Sequence, residues 1–259
     1  MLKADISAVV VSCNEGHLLS NCLDSLWFCK EIIVIDLEST DNTKEIAEQY
    51  NANYILHTKV PYVEIIHTWI QNKVIYDWIL ITDPDEVCSK SLAKDILKTL
   101  PKLSENIGVV KVPWRFYYKK HLLKGTQWGG IQTRAFIVNK NRFYFTKDVH
   151  RGRHLKSGFK IHNIKYQGDN FVHHYWMSSL KQLIKKHKRY LKNEAESRYN
   201  NGERKKMNQV LSIPFTSFYS SFIKKRGVKD GFTGLFLSLF WAWYQTNSVY
   251  KLYRYMKSN

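Results

Sequence analysis

The stretch ITDPDEV contains three carboxylates within four residues, directly after a run of large apolar side chains. Asp83, Asp85 and Glu86 surround Pro84, which lacks a backbone N–H and therefore ends a strand. Neighbouring carboxylates repel each other unless a cation lies between them, and carboxylate oxygens are the ligands that Mg²⁺ and Mn²⁺ prefer. The stretch therefore predicts either a metal site or an ordinary solvated acidic turn.

Apolar runs and helical patterns alternate over the first half of the chain. Continuous β-branched runs predict buried strands at residues 6–14, 31–36, 53–56 and 78–83. Apolar residues at helical spacing predict helices over residues 17–26, 39–50, 63–76 and 91–100. This alternation is typical of an α/β fold with a mostly parallel sheet flanked by helices.

Polar residues stand where three of these strands end. Ser12, Cys13, Asn14 and Glu15 close the first strand, Asp36 closes the second, and the acidic turn follows the fourth. Ligands of open parallel sheets bind beyond the carboxyl ends of the strands, so the coincidence favours a binding site over a solvated turn. Asp36 could equally cap the turn at Ser39 and Thr40, and both roles stay open.

The two halves of the chain carry opposite net charges. Residues 1–112 contain 10 Lys and Arg against 16 Asp and Glu, whereas residues 113–259 contain 30 against 6, which together give +18. A strongly basic half suggests an anionic surface as a partner, either nucleic acid or acidic lipid.

From residue 108 onward, aromatic strands and basic helices replace the α/β alternation. GVVKVPWRFYYKK and TRAFIVNKNRFYF predict strands, and the first part of residues 178–206 predicts a basic helix. Residues 231–250 are uncharged, but their apolar part, residues 235–244, is too short to cross a bilayer. The flanking Lys, Arg, Trp and Tyr favour an interfacial helix instead.

The cysteines and the first residues bear on the compartment. Cys13, Cys22, Cys29 and Cys88 have no CxxC spacing, which predicts reduced, mostly buried thiols in a cytosolic protein. The stretch MLKADISAVVVSCNE lacks the charged region, the long apolar region and the small-residue cleavage site of a signal peptide. This pattern predicts a cytoplasmic location.

Three motifs together resemble inverting glycosyltransferase family 2, in particular small bacterial enzymes of the lipopolysaccharide-core type. They are SAVVVSCNEGHLLSNCLDSL, EIIVIDLESTDNTKEIAEQY and WILITDPDE, and QTRAFIVNKNRFYFTKDVH and FVHHYWMSSLKQLIKKHKRYL extend the resemblance over nearly the whole chain. The resemblance implies the Rossmann-like GT-A fold with a helical, basic and aromatic C-terminal extension. It also implies a catalytic domain over residues 1–175 and the extension over residues 176–259.

The family pattern implies roles for the residues that match it. Ser12, Cys13, Asn14, Glu15 and Asp36 would line the nucleotide base and ribose of a donor. Asp83 and Asp85 would hold Mg²⁺ or Mn²⁺ with the diphosphate, Asp85 as the direct ligand. Trp128 and Gly130 would contact the acceptor. Apart from the family pattern, Arg134 and Arg151 could bind the diphosphate or an acidic acceptor, because a guanidinium matches phosphate geometry, or could belong to a solvated basic face. Relatives often have a second acid where this chain has Leu37, which puts the base preference in doubt.

The catalytic base and the third metal ligand are less well defined by the pattern. Arg151 stands where relatives often have the Glu of a "VHE" motif, so the base is predicted to be Asp148, with Glu86 in reserve. Asp148 could instead form a salt bridge in its basic surroundings. His150 could complete the metal shell, and the pair His173 and His174 is the weaker candidate. Trp128 could equally be a core residue.

The resemblance implies inverting, metal-dependent transfer of a sugar from a nucleotide-diphosphate donor to a lipid-linked or polysaccharide hydroxyl. The basic half would then dock on the anionic inner face of the plasma membrane, as a peripheral protein and possible homo-oligomer. Nucleic-acid binding is a second hypothesis, but the chain lacks RRM, KH and zinc-finger signatures. An inactive scaffold is a third, because Leu37 and Arg151 depart from the family pattern.

Overall fold

The computed structural model describes residues 2–61, 63–146 and 152–258. Its strands are β1 (Ala4–Ser12), β2 (Cys29–Asp36), β3 (Asn53–Leu56), β4 (Trp78–Thr82), β5 (Glu86–Cys88), β6 (Ile107–Tyr118), β7 (His121–Leu122), β8 (Gln132–Asn139), β9 (Phe143–Phe145), β10 (Arg153–Leu155), β11 (Lys160–Asn163) and β12 (Val172–Met177). Its α-helices are α1 (Gly16–Ser25), α2 (Thr43–Gln49), α3 (Glu64–Ile70), α4 (Lys90–Thr99), α5 (Leu180–Asn200), α6 (Met207–Tyr219) and α7 (Gly231–Ser258).

The chain forms two units. The first comprises Met1–Trp114 and Gln132–His174, and the second comprises Arg115–Ile131 and Tyr175–Asn259. The main sheet has the strand order β3-β2-β1-β4-β8-β6-β12-β5. Strands β1 to β4 pair in parallel, as predicted, whereas β8 runs antiparallel to both β4 and β6. The predicted α/β class, with helices flanking a sheet whose first four strands are parallel, is confirmed.

The strand register brings the predicted polar strand ends to one edge of the sheet. Ser12 pairs with Asp36 across β1 and β2, and Val10 pairs with Thr82 across β1 and β4. The first strand ends two residues earlier than predicted, because Asn14 has a left-handed backbone with φ of 57° and turns the chain away from the sheet.

Two loops at this edge are joined by the side chains of Asn14 and Asp41. Asn14 Oδ1 accepts a 2.8 Å hydrogen bond from Thr40 N, and Asp41 Oδ2 accepts one of 2.9 Å from Gly16 N. Gly16 leaves room for this approach, since a Cβ there would lie 2.5 Å from Asn42 Oδ1. The segment from residue 39 to Asn42 therefore forms this junction, and α2 begins only at Thr43.

The second unit is largely helical. Helix α7 packs against α5 and α6, and it buries Leu237, Phe240, Tyr244, Val249 and Leu252. No helix in the described part of the chain combines the length and the hydropathy needed to cross a membrane. The segment predicted as an interfacial helix thus supplies much of this unit's apolar interior.

Replacing Asp41 with Ala should lower the free energy of unfolding by about 1 kcal/mol. The change removes the hydrogen bonds that Asp41 accepts from Gly16 N and from Thr43 Oγ1, and the exposed position of Asp41 limits their contribution. Asp24→Ala, at an exposed position of α1, is the matched control and should change stability by less than about 0.5 kcal/mol. Urea unfolding measures both; equal stability of the two variants would contradict the proposed junction.

Candidate functional site

The acidic turn is closed by its own third carboxylate. Glu86 N donates to Asp83 O at 3.0 Å, and Glu86 Oε2 accepts hydrogen bonds from Thr82 Oγ1 at 2.9 Å and Asp83 N at 3.1 Å. The side chain of Glu86 is only 7% exposed. Glu86 therefore braces the turn from inside, while Asp83 is exposed to solvent.

A histidine from a distant strand lies directly across from this turn. β5 and β12 pair antiparallel, and the register places His174 opposite Glu86. His174 Nε2 is 3.3 Å from Asp85 Oδ2, and His174 Nδ1 is 3.7 Å from Glu86 Oε1. Antiparallel pairing thus brings a buried imidazole to two carboxylates that lie 88 residues or more before it in the chain.

The three groups shift one another's protonation equilibria. Burial, with the neighbouring charge of Asp83, raises the pKa of Glu86 well above its usual range, although His174 opposes this shift. Burial alone would lower the pKa of His174, but its hydrogen bond to Asp85 and the nearby carboxylate charges raise it. The ionised form of Glu86 is therefore disfavoured in this buried place unless a cation lies beside it, and the site is suited to hold one.

The cluster has the ligand types and spacing of a divalent cation site. One ligand atom from each of Asp85, Glu86 and His174 lies within 4.8 Å of the others. Asp85 Oδ1 is buried, and no residue in the described ranges gives it a hydrogen bond. A buried carboxylate oxygen without a partner is costly, and a metal ion would satisfy it. The residues present thus fit Mg²⁺ or Mn²⁺.

The structure places only some of the metal ligands predicted from the sequence in the acidic cluster. Asp85 lies in the cluster, and His174, the weaker histidine candidate, joins it. Asp83 is outside the cluster that the described residues form. His150 lies outside the described residues, as do Asp148 and Arg151. Glu86, predicted only as a reserve base, is the group that sequence reasoning did not connect with the metal.

The loop after β1 lies beside the second strand end. Ser12 Oγ is buried and has no hydrogen-bond partner within the described ranges. Cys13 Sγ lies 3.5 Å from Leu37 O, and Asn14 N donates to Ser39 Oγ at 2.8 Å. Glu15 is the N-cap residue of α1, although its side chain makes no capping hydrogen bond. The four residues that are predicted to contact the nucleotide of a sugar donor therefore lie at one edge of the sheet, beside Asp36.

Asp36 is fully engaged by the protein. Its Oδ1 accepts a 2.9 Å hydrogen bond from Ser39 N, so the predicted capping of this turn is confirmed. Its Oδ2 accepts a 2.7 Å hydrogen bond from the hydroxyl of Tyr54, which lies on the edge strand β3. Burial and this contact raise the pKa of Tyr54 to about 12, so the phenol remains a donor at neutral pH. Sequence reasoning missed Tyr54, since no local pattern links it to Asp36.

Arg134 is the described arginine among the predicted anion-binding residues. Its guanidinium lies 5.8 Å from the centre of the Trp114 ring, and its Nη2 donates a 2.9 Å hydrogen bond to Gln132 Oε1. The Trp114 ring in turn lies 5.8 Å from the His174 ring. Trp114 thus lies between Arg134 and His174, so a cationic side chain lies near the acidic cluster within the first unit.

The predicted acceptor residues belong to the second unit. Trp128 is half-buried and stacks on Trp176 at 4.6 Å between ring centres, with Trp241 at 5.5 Å. Gly130 has a left-handed φ of 73° and donates its N–H to Leu123 O at 3.1 Å. The buried carboxylate of Asp230 holds the start of this loop through hydrogen bonds from Lys124 N and Gly125 N, each 2.7 Å long.

Known proteins are similar to this chain over most of its length. The model of the family "Glycosyl transferase family 2" matches residues 7–232. An uncharacterized glycosyltransferase of Rickettsia felis is 24% identical over 243 residues, which cover 92% of this chain and 85% of the relative. The lipopolysaccharide core biosynthesis glycosyltransferase LpsC of Rhizobium meliloti is 22% identical over 266 residues, which cover 97% and 93%.

A solved structure shares the fold. The mannosyltransferase PcManGT from Pyrobaculum calidifontis, solved in complex with GDP-Man and Mn²⁺, superposes with a TM-score of 0.56 at 12% identity, covering 97% of this chain and 88% of that one. At that identity the likeness shows the GT-A fold alone. The sequence match spans most of the chain, and on that ground the protein is a glycosyltransferase that belongs to glycosyl transferase family 2.

Proposed function

We propose that the protein transfers a sugar from a nucleotide-diphosphate donor to a hydroxyl of a lipid-linked or cell-surface glycan, with inversion and with Mg²⁺ or Mn²⁺. The observation that carries this proposal is the buried cluster of Asp85, Glu86 and His174, in which Asp85 Oδ1 has no partner among the described residues. The cluster follows β4, at the sheet edge where Ser12 and Asp36 also lie.

Asp85 and His174 would hold the metal ion, and Glu86 would keep the turn in shape beside them. A bound divalent ion would neutralise charge on the departing nucleoside diphosphate. Glu86 already accepts hydrogen bonds from Thr82 Oγ1 and Asp83 N, which explains why its carboxylate is buried. Asp83, exposed at the mouth of the turn, would face the donor.

The donor class is supported by the fold-sharing mannosyltransferase, which was solved with GDP-Man and Mn²⁺. In this chain Ser12, Cys13, Asn14 and Glu15 would border the nucleoside, with Asp36 held in place by Tyr54. Arg134 would contact the diphosphate, because a guanidinium matches phosphate geometry and lies near the cluster through Trp114. Arg151 is proposed for the same anion on the chemistry of its guanidinium alone.

Asp148 is proposed as the base that takes the proton of the attacking hydroxyl. An inverting transfer needs one carboxylate within hydrogen-bond reach of the acceptor oxygen. Glu86 is poorly suited to this task, because it is 7% exposed and one of its oxygens already accepts two hydrogen bonds. The assignment of Asp148 therefore rests on its position beside the motif in which Arg151 replaces the usual Glu, and on the buried state of its competitor.

The acceptor class is supported by a relative. LpsC of Rhizobium meliloti is named for lipopolysaccharide core biosynthesis and is similar over 97% of this chain. Trp128 and Gly130 would contact the acceptor glycan, since half-buried tryptophans offer both a ring face and an N–H. A lipid-linked acceptor would be met at the inner face of the plasma membrane, where we propose that the protein works.

A thermal-shift screen tests the metal and the donor class together. Mn²⁺ with a cognate nucleotide sugar at about 100 times its Kd should stabilise the protein by about 2.7 kcal/mol and raise Tm by several degrees. Asp85→Asn and His174→Gln should each abolish most of this rise. Asp77→Asn is the matched control, because Asp77 is 58% exposed and should leave the rise unchanged. An unaltered Tm rise in Asp85→Asn would contradict the proposed metal site.

A pair of amide variants separates the two candidate bases. Asp148→Asn should lower kcat by about 10²- to 10⁴-fold while the donor-induced Tm rise is kept. Glu86→Gln keeps an oxygen acceptor for the turn and should change kcat by less than about tenfold. The reverse ranking of the two variants in steady-state kinetics would assign the base to Glu86.

The anomeric configuration of the product tests inversion directly. A single in-line attack on a donor with an α-linked sugar should yield a β-linked product, and ¹H NMR of the isolated product distinguishes the two by the anomeric coupling. A product with the donor's configuration would refute the inverting mechanism and leave the family assignment intact.

A further inference from the structure

Helix α6 presents a stripe of exposed apolar side chains. Its members stand four residues apart and continue into the π-helical turn Ser220–Lys224; they are Met207, Leu211, Phe215, Tyr219 and Ile223. Leu211 is 64% exposed and Phe215 is 77% exposed. Neighbouring members four residues apart lie on the same side of the helix, so the stripe is a continuous surface that winds slowly around α6. We call these five residues the α6 stripe.

The remaining faces of α6 show that the stripe does not result from loose packing. Val210 and Ser217 are buried, and α6 packs against α7 within the second unit. Ser221 Oγ and Ser238 Oγ, both buried, form a 2.9 Å hydrogen bond between the π-helical turn and α7. The helix is therefore anchored by one face, and the opposite face carries large apolar side chains into solvent.

Cations stand at both ends of the stripe and nowhere along it. Residues 204–229 contain no Asp or Glu, and residues 207–223 contain no charged side chain at all. The flanking cations are Arg204, Lys205, Lys206, Lys224, Lys225, Arg226 and Lys229. Within the described ranges only Lys205 of these forms an ion pair, with Glu203 at 3.4 Å. The remaining cations are exposed, although the Arg204 guanidinium donates to Tyr199 O and Glu203 O and stacks on the Tyr199 ring.

We propose that the α6 stripe docks on the surface of an anionic lipid bilayer. An apolar helix face flanked by Lys and Arg is typical of helices that lie in the membrane interface, with aromatic rings among the acyl chains and cations at the headgroups. Each Lys or Arg near such a surface adds attraction to anionic lipid, which a neutral membrane would not supply. The exposed Phe215 and Tyr219 provide the aromatic contacts, and the two basic ends provide the charge complementarity.

A second copy of the chain fits this surface less well. Both ends of the stripe are basic, so two copies paired face to face would bring cations together in either a parallel or an antiparallel arrangement. Nucleic acid would meet the charges but would leave the apolar side chains without a partner. Anionic lipid is the occupant that satisfies both parts of the surface.

The α6 stripe has no part in the proposed sugar transfer, and it lies outside the segment that the sequence predicts as interfacial. The sequence predicts the interfacial segment in residues 231–250, where α7 buries Leu237, Phe240 and Tyr244 and exposes Phe232 and Leu239. Vesicle binding needs neither donor nor metal. Failure of the lipid proposal is therefore distinguishable from failure of the proposed reaction, which the donor-induced Tm rise reports.

Sedimentation with vesicles tests the proposal on the full chain. The protein should bind vesicles of 3:1 phosphatidylcholine and phosphatidylglycerol at low salt, and binding to pure phosphatidylcholine should be at least about tenfold weaker. Leu211→Ser with Phe215→Ser should reduce binding to the anionic vesicles about tenfold or more. The control is Leu2→Ser with Leu56→Ser, because these residues of the first unit are 76% and 64% exposed and should leave binding unchanged.

A charge-reversal pair tests the basic ends separately. Lys224→Glu with Lys225→Glu should weaken anionic vesicle binding about tenfold, whereas Lys94→Glu with Lys102→Glu, at exposed positions of the first unit, should not. Equal binding of wild type to neutral and anionic vesicles would overturn the proposal. The proposal would also be overturned if the wild-type protein were a dimer that does not bind vesicles and the variant Leu211→Ser with Phe215→Ser were a monomer. An unchanged Tm in each variant shows that the fold is intact.

Discussion

The site depends on carboxylates kept out of water beside one imidazole. Glu86 is buried under the turn and Asp85 has a buried oxygen without a described partner, so water screens an ionised carboxylate poorly at this place. His174 Nε2 lies 3.3 Å from Asp85 Oδ2, and the nearby carboxylates raise the pKa of the imidazole. A buried acidic cluster of this kind is costly to the fold alone. The cost is understandable if a divalent cation and an anionic diphosphate complete the arrangement.

The fold supplies this arrangement through strand register. Parallel pairing of β1, β2 and β4 brings Ser12, Asp36 and the acidic turn to one edge of the sheet. The short strand β5 then pairs with β12, and this pairing alone places His174 opposite Glu86. The junction made by Asn14 and Asp41 fixes the neighbouring loops against each other. The chemistry of the turn is therefore local in sequence, but its completion requires a long-range antiparallel contact.

This division explains what could be predicted from the sequence. Continuous β-branched runs predict β1, β2 and β4 well, because buried parallel strands have few alternatives, and the polar strand ends follow from them. His174 ranked behind His150 because a histidine in an aromatic strand carries no local sign of its partner 88 residues earlier. The contact between Tyr54 and Asp36 has the same origin. The apolar residues of α7 suggested a membrane interface, because the packing of α5 and α6 against α7 cannot be read from composition. The α6 stripe has an ordinary apolar content, and only the exposure of its side chains in the structure distinguishes it.

The central claim is that Asp85 and His174 hold a divalent ion for a nucleoside diphosphate. A crystal structure of the protein with Mn²⁺ and a nucleoside diphosphate, recorded at a wavelength where manganese scatters anomalously, tests this most directly. One strong anomalous peak is expected within coordination distance of Asp85 Oδ1 and a His174 ring nitrogen, with diphosphate oxygens completing the shell. A bound nucleotide with no anomalous peak between these two side chains, or with the peak at other residues, would contradict it.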